Sequence, residues 1–329
     1  MKGYILFTAV AGVVLLFFEA CDVPFSPSAP FQPRMVVYCV LTTESDTQYL
    51  RVCSTYDPPD NDPAKNLEDH PVTDATVTIS SDSALYQFQK TTVQRADTSR
   101  YASGIVAYVS YPFRPARGTT YRLTVSSPSI GTATSVSTVP GVAQVSPVNF
   151  FCLRDPYRYG LWDYGIQAVL SPQAKGFLAR LEVEYLALTP QGWQLKRRQI
   201  PVAMRVISKY RGTWEFFHPE VRRRSSYNAG YREAEVFSVL EWIKFLENVI
   251  WFSDGDGVQF QDVVLKVIQF DQPLYDNYSV ANLFRDPYSV RIDEADYTNI
   301  SGGVGLFGSQ AVDSTVSVLP EHISRPGPK

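Results

Sequence analysis

Histidine is scarce: the 329 residues hold three, His70, His218 and His322, too far apart to form an HxxH, HxH or HExxH pattern. A metal centre or a histidine-based hydrolase therefore has little to build on. Cysteine is almost as scarce, with four residues and no CxxC, so zinc-ribbon and thioredoxin chemistry lack their ligands. No GxSxG elbow or GxxxxGK[ST] loop occurs. Charge of one sign is lacking too. With 30 Lys and Arg against 33 Asp and Glu, the net charge of −3 gives no field that would attract nucleic acid. The longest greasy run, Tyr4 to Phe18, is fifteen residues, short of the roughly 20 that a membrane span needs.

Several patterns look like chemistry and read more simply as structure. "GVGLFG" (Gly303 to Gly308) fits GxGxxG, yet a strand-like "SQAVDSTVSVLPEH" follows it where dinucleotide binding requires a helix. Glycines that permit a bulge or a close strand approach account for it. Asp254 and Asp256 of "SDGDG" lack the further ligands of a calcium loop and suit a tight turn. The basic runs "KRR" (196–198) and "RRR" (222–224) read as solvated strand faces. No carboxylate spacing singles out an acid/base pair. The expectation is a protein that is not an enzyme, with no cofactor, no metal site and no catalytic residues.

What is present begins at the amino end. Lys2, the run from Tyr4 to Phe18, Glu19 and small Ala20 read as a signal peptide over residues 1–20. Cys21 follows at once, matching the end of a lipobox, and is the expected lipidation site. Pro24, Pro27, Pro30 and Pro33 then recur every third residue, the period of a polyproline II helix. Residues 21–34 thus form an expected lipid-anchored tether. At about 3.1 Å per residue its proline stretch would hold a folded body roughly 30 Å from the membrane.

From residue 35 to 140 the chain alternates with period two in short segments, "ATVTIS", "LYQFQ", "TYRLTV" and "TATSVSTV", separated by turn residues. This reads as an immunoglobulin-like β-sandwich. Cys39 and Cys53 sit in adjacent strand patterns, "MVVYCVL" and "YLRVCST". A turn centred near Asp46 would make them a candidate disulfide, and two separate buried thiols is the equal alternative. "VPGVAQVSP" (139–147) reads as a linker. Residues 147–320 then form a second β-rich domain with one or two helices, over "REAEVFSVLEWIKFLENVIWF" and "LYDNYSVANLF", before a tail at 321–329. All five tryptophans, Trp162, Trp193, Trp214, Trp242 and Trp251, fall in this half. They could build a sugar-stacking platform.

"VVLKVIQFDQPLYDNY" and "FRDPYSVRIDEADYTNISGGVGLFGS", with "RMVVYCVLTTES" and "VTDATVTISSD" near the start, resemble an uncharacterised lipoprotein family. That family, found mainly in Bacteroidetes, is catalogued as a domain of unknown function (family 4249). The matching features are Leu265–Val267, Tyr275–Tyr278 and the stretch Asn299 to Gly308. The resemblance implies an exported, envelope-attached protein, often encoded beside TonB-dependent outer-membrane receptors. It carries over no catalytic residue. The resulting expectation is a mainly β outer-membrane lipoprotein acting as a binding or scaffold component, with the membrane and a receptor protein as partners and no nucleic acid. A glycan- or nutrient-binding lipoprotein is the alternative.

Overall fold

The computed structural model describes residues 31–57, 69–95, 104–151, 162–208, 213–246, 257–283 and 297–318. The signal peptide, Cys21 and the proline tether up to residue 30 lie outside them. The described chain is mainly β. Its first part holds β1 (Met35–Thr42), β2 (Gln48–Ser54), β3 (Thr76–Ser80), β4 (Leu85–Val93), β5 (Ile105–Ser110), β6 (Thr120–Ser127) and β7 (Gly131–Thr138). The second holds β8 (Gln144–Phe151), β9 (Trp162–Val169), β10 (Gly176–Thr189), β11 (Gly192–Gln199), β12 (Ala203–Ser208), β13 (Thr213–Phe217), β14 (Arg222–Arg223) and β15 (Arg232–Phe237). Helix α1 (Val239–Phe245), β16 (Val258–Phe270), α2 (Gln272–Leu283) and β17 (Gly303–Val318) complete it.

One twelve-stranded sheet runs through both parts, in the order β11-β10-β16-β17-β1-β2-β5-β4-β3-β6-β7 with β14 beside β10. Strand β17 joins the parts. Its first half runs parallel to β1, Met35 opposite Gly303 and Thr42 opposite Gln310. Its second half runs antiparallel to β16, Val318 opposite Asp262. Strand β4 turns the sheet back on itself: Leu85 to Phe88 pair with β3, whereas Gln89 to Val93 pair with β5. The β3-β6-β7 layer thereby folds over β1, β2 and β17, and Thr134 of β7 bridges to Ser301 just ahead of β17.

Period-two alternation fills the space between these layers. Met35, Val37, Cys39 and Leu41 of β1 point inward to meet Leu123 and Val125 of β6 and Val77 and Ile79 of β3. Burying each such side chain contributes about 1.5–3 kcal/mol. Residues 35–140 do not close this core alone, because Ile300, Phe307 and Ala311 from the far end of the chain belong to it. A second core lies between β10 and β16 on one side and the three-stranded sheet β15-β9-β8 with α1 on the other. Phe177, Leu181, Val183, Val263 and Leu265 face Tyr164, Ile166, Phe237 and Trp242 across it. Register and pleat put both cores on the same face of the large sheet, since odd-numbered Phe307 and Ala311 of β17 line the first and odd-numbered Asp313, Thr315 and Ser317 stand opposite Val267, Leu265 and Val263 of the second.

Three local expectations are revised. "REAEVFSVLEWIKFLENVIWF" is not helical from its start: Arg232 to Phe237 pair with β9, and the helix begins only after Ser238. The stretch 139–147 is no free linker, for Val139 and Ala143 are buried and Gln144 opens β8. Pro147 is accommodated because β8 is the edge of its sheet. The third concerns the thiols. Cys39 lies opposite Leu50 and Cys53 opposite Val36, so the turn centres ahead of Asp46. Three residues of offset put the two side chains on opposite faces, and both thiols are free.

Candidate functional site

A buried polar seam separates the two apolar cores. Gln269 of β16 spans it, its carbonyl accepting from the Ser171 backbone N–H at 2.7 Å. Its amide donates to Gly141 O at 2.9 Å and to Asp313 Oδ2 at 3.1 Å. The same carboxylate oxygen accepts from Arg117 Nη1 and from the Ala143 backbone N–H, each at 3.0 Å. Arg117 comes from the first part of the chain, Gln269 and Asp313 from the second, so the seam ties the two together. Each of these hydrogen bonds joins one group of the seam to another.

At the other end of the seam Asp271 caps α2. It is almost wholly buried, its Oδ1 accepting from the Leu274 backbone N–H at 2.9 Å and its Oδ2 from Ser137 Oγ at 2.6 Å. Burial pushes its carboxyl up to about 6, against the pull of those hydrogen bonds. Helix α2 then crosses to the opposite face of the sheet. Leu274 seats against Gly308, and the Tyr275 ring occupies the place a side chain at Gly176 would take. Leu178, Ile268 and Phe270 are covered there, with Leu274, Tyr275 and Val312 packed against them.

Beyond α2 this outer face is open on both sides. Toward β11 it is a ladder of charge: Glu182 pairs with Lys266 at 3.2 Å and Arg197 at 3.6 Å, and Arg197 also meets Glu184. The ladder ends in an exposed apolar tip of Leu188, Trp193 and Leu195. Toward β5 the face is apolar instead. Tyr38, Val40 and Tyr49 stand exposed where an antiparallel sheet facing water would carry polar residues. A shallow groove of ≈ 250 Å³ opens there.

The sequence-derived candidates do not converge on a site. "KRR" lies on edge strand β11 and Arg222–Arg223 form β14, where Arg222 pairs with Glu235 at 3.0 Å. Arg224 is buried, donating to Ser171 O and Ser226 O at 2.6 Å, with its guanidinium 4.7 Å from the Tyr227 ring centroid. His70 stacks on Tyr56 at 4.8 Å. Among the described residues no group of His, Cys, Asp and Glu could hold a metal ion. No described helix is long and apolar enough to cross a membrane. Asp254, Asp256, Cys152, Trp251 and His322 lie outside the described residues. Of the tryptophans, Trp242 is in the second core and Trp193 is on the hairpin tip.

The glycine stretch is structural. Asn299 clamps the loop before β17 by donating to Phe307 O at 2.7 Å and accepting from Phe307 N–H at 2.9 Å. Gly305 takes φ +117° while passing so close to Val37 O that a Cβ would collide with it. What the sequence did not reveal is the apolar outer face. Its signal was the unbroken apolar run "MVVYCVL", which places Tyr38 and Val40 on the side away from the core.

A mainly β protein with two cores on one sheet and an open face behind it is the class that fold and surface define. Residues 21–157 match the model of the family described as Domain of unknown function (DUF4249). The resemblance read from the sequence therefore holds over that span, which is less than half of the 329 residues. The Asn299 to Gly308 stretch falls beyond it. No curated protein matches the chain.

Proposed function

We propose that this chain is a non-enzymatic binding or scaffold component of a bacterial outer membrane, anchored by lipid on Cys21 and accessory to a TonB-dependent receptor. The observation that carries the anchoring is where the family match starts: at Cys21 itself, leaving the twenty residues before it outside the common part, as a removable leader would be. More than one acyl chain, each worth about 0.8 kcal/mol per buried methylene, would make the attachment stable. The binding role is supported by the outer face, which leaves aromatic and apolar side chains in solvent. A sugar platform draws less support, because Trp242 is committed to the core and Trp193 stands apart on a hairpin tip.

Growth with a tagged fatty acid tests the anchor. Wild-type protein should take up the label and Cys21→Ala should not; equal labelling of both would refute lipid attachment. Crosslinking in intact envelopes tests the role, with one outer-membrane receptor as the expected adduct. Adducts to no particular protein would remove the scaffold reading.

A further inference from the structure

Strand β1, the first element after the proposed tether, is held on both sides. It lies between β17 and β2 in the large sheet. All eight of its residues pair in parallel with β17, from Met35 opposite Gly303 to Thr42 opposite Gln310. Met35 to Cys39 also pair antiparallel with β2. Its inward side chains, Met35, Val37, Cys39 and Leu41, are buried in the first core.

Both ends are pinned beyond these ladders. At the amino end Arg34 N–H donates to Thr55 Oγ1 at 2.8 Å and Thr55 N–H donates to Arg34 O at 2.9 Å. The Arg34 guanidinium reaches Gly303 O at 3.2 Å. At the carboxyl end Thr42 N–H donates to Gln48 Oε1 at 2.9 Å and Val312 N–H to Thr43 Oγ1 at 3.2 Å. Arg34 and Thr43 lie outside the apolar core, so their bonds fix β1 along its own axis.

Because β1 and β17 are parallel, the amino end of one and the carboxyl end of the other lie at opposite ends of the sheet. The sixteen residues of β17, at about 3.3 Å each, put Val318 roughly 50 Å from Gly303. The tether enters at Arg34. Tension between it and anything held toward Val318 therefore runs along β1. Ladder hydrogen bonds lie across the strands, so an axial pull loads them together and drags the buried side chains with them. A pull that parts β1 from β17 at the Met35 end breaks the same bonds one after another.

We propose that β1 is a tension-carrying strap, passing force between the amino-terminal anchor and a partner held on the far part of the body as shear across its two ladders. The fold then does not open from its anchored end. The strength of the strap belongs to the fold, and its use rests on the anchor and binding role above.

Single-molecule pulling on full-length protein in detergent tests this, with p-azidophenylalanine as the attachment point. One handle replaces Phe31, exposed ahead of β1, and the second replaces Val318 or Ser301, both exposed. The first pair pulls along β1, and the second peels it from β17. At one loading rate the axial pair should rupture at a force about twofold higher or more, since forced unfolding follows the rate along the loaded path. Moving the far handle from Val318 to exposed Val316 should reproduce the high force. Equal forces in the two directions, or a lower axial force, would overturn the proposal. Urea midpoints of the labelled proteins should match the unlabelled chain, so that force reports direction and not a damaged fold. Both pulls act through residue 31 and not through lipid. A strap that fails here and a Cys21 that takes no fatty acid are therefore separate results.

Discussion

Asp271 sits where an ionised carboxylate is hardest to keep, between two apolar cores at a helix start. Its folded pKa is about 6 and its ordinary value 3.8. Between those pH values the unfolded chain releases a proton that the folded chain retains. Folding is therefore opposed increasingly as pH rises through this window, and the cost stays level above it. Asp271→Asn keeps the cap, since its carbonyl can still accept from Leu274 N–H, and removes the ionisation. Its stability advantage over wild type should grow by about 1–3 kcal/mol between pH 4 and pH 7, read from urea midpoints. A constant difference across that range would show that Asp271 does not carry the titration. The thiols make a second contrast at this scale. Burial pushes Cys39 up to about 12 and raises Cys53 less. Iodoacetamide at pH 8 should thus modify Cys53 in the folded protein and Cys39 only after denaturation, a difference that peptide mass mapping resolves.

Glycines in β17 and in the β10–β11 turn separate two costs that a positive φ can carry. Gly192 has φ +102° with open space around it, and Gly305 has φ +117° with Val37 O in the way. Gly192→Ala should cost about 1 kcal/mol from backbone strain alone. Gly305→Ala must also push β17 off β1 and should cost about 3 kcal/mol or more. Equal losses in thermal melts would mean that the close approach is relaxed at no expense. At this scale most strands were legible. "ATVTIS", "TYRLTV" and "TATSVSTV" alternate cleanly and became β3, β6 and β7, and "LYDNYSVANLF" marked α2. The stretch from Arg232 was misleading because Val236, Leu240, Ile243 and Leu246 fit a helical spacing while Val236 and Phe237 suit a strand equally. Pairing with β9 decided it. Cross-strand register was not legible, which is why Cys39 and Cys53 could be placed opposite each other on paper and lie on opposite faces in the fold.

For the molecule as a whole, β17 makes the two parts interdependent. Without it, β1 would present a bare edge and the first core would lack Phe307 and Ala311. Residues 31–142 expressed alone should show no cooperative unfolding transition, and fusing 297–318 to their end through a flexible linker should restore one. A cooperative melt from the short fragment would show that its core is self-sufficient. Alternation along a strand says which face is buried but not which distant segment lies beside it, so nothing in the sequence around Met35 announces Gly303 as its neighbour. Arg34 reaches Gly303 O across 269 residues of chain. Such a closure is slow, because its entropy is lost before any contact rewards it. A ribosome delivers the first strand long before its mate, so the amino-terminal half must wait with one side unzipped until the final stretch arrives. Any cell making this protein has to shelter that half-built edge from other chains in the meantime.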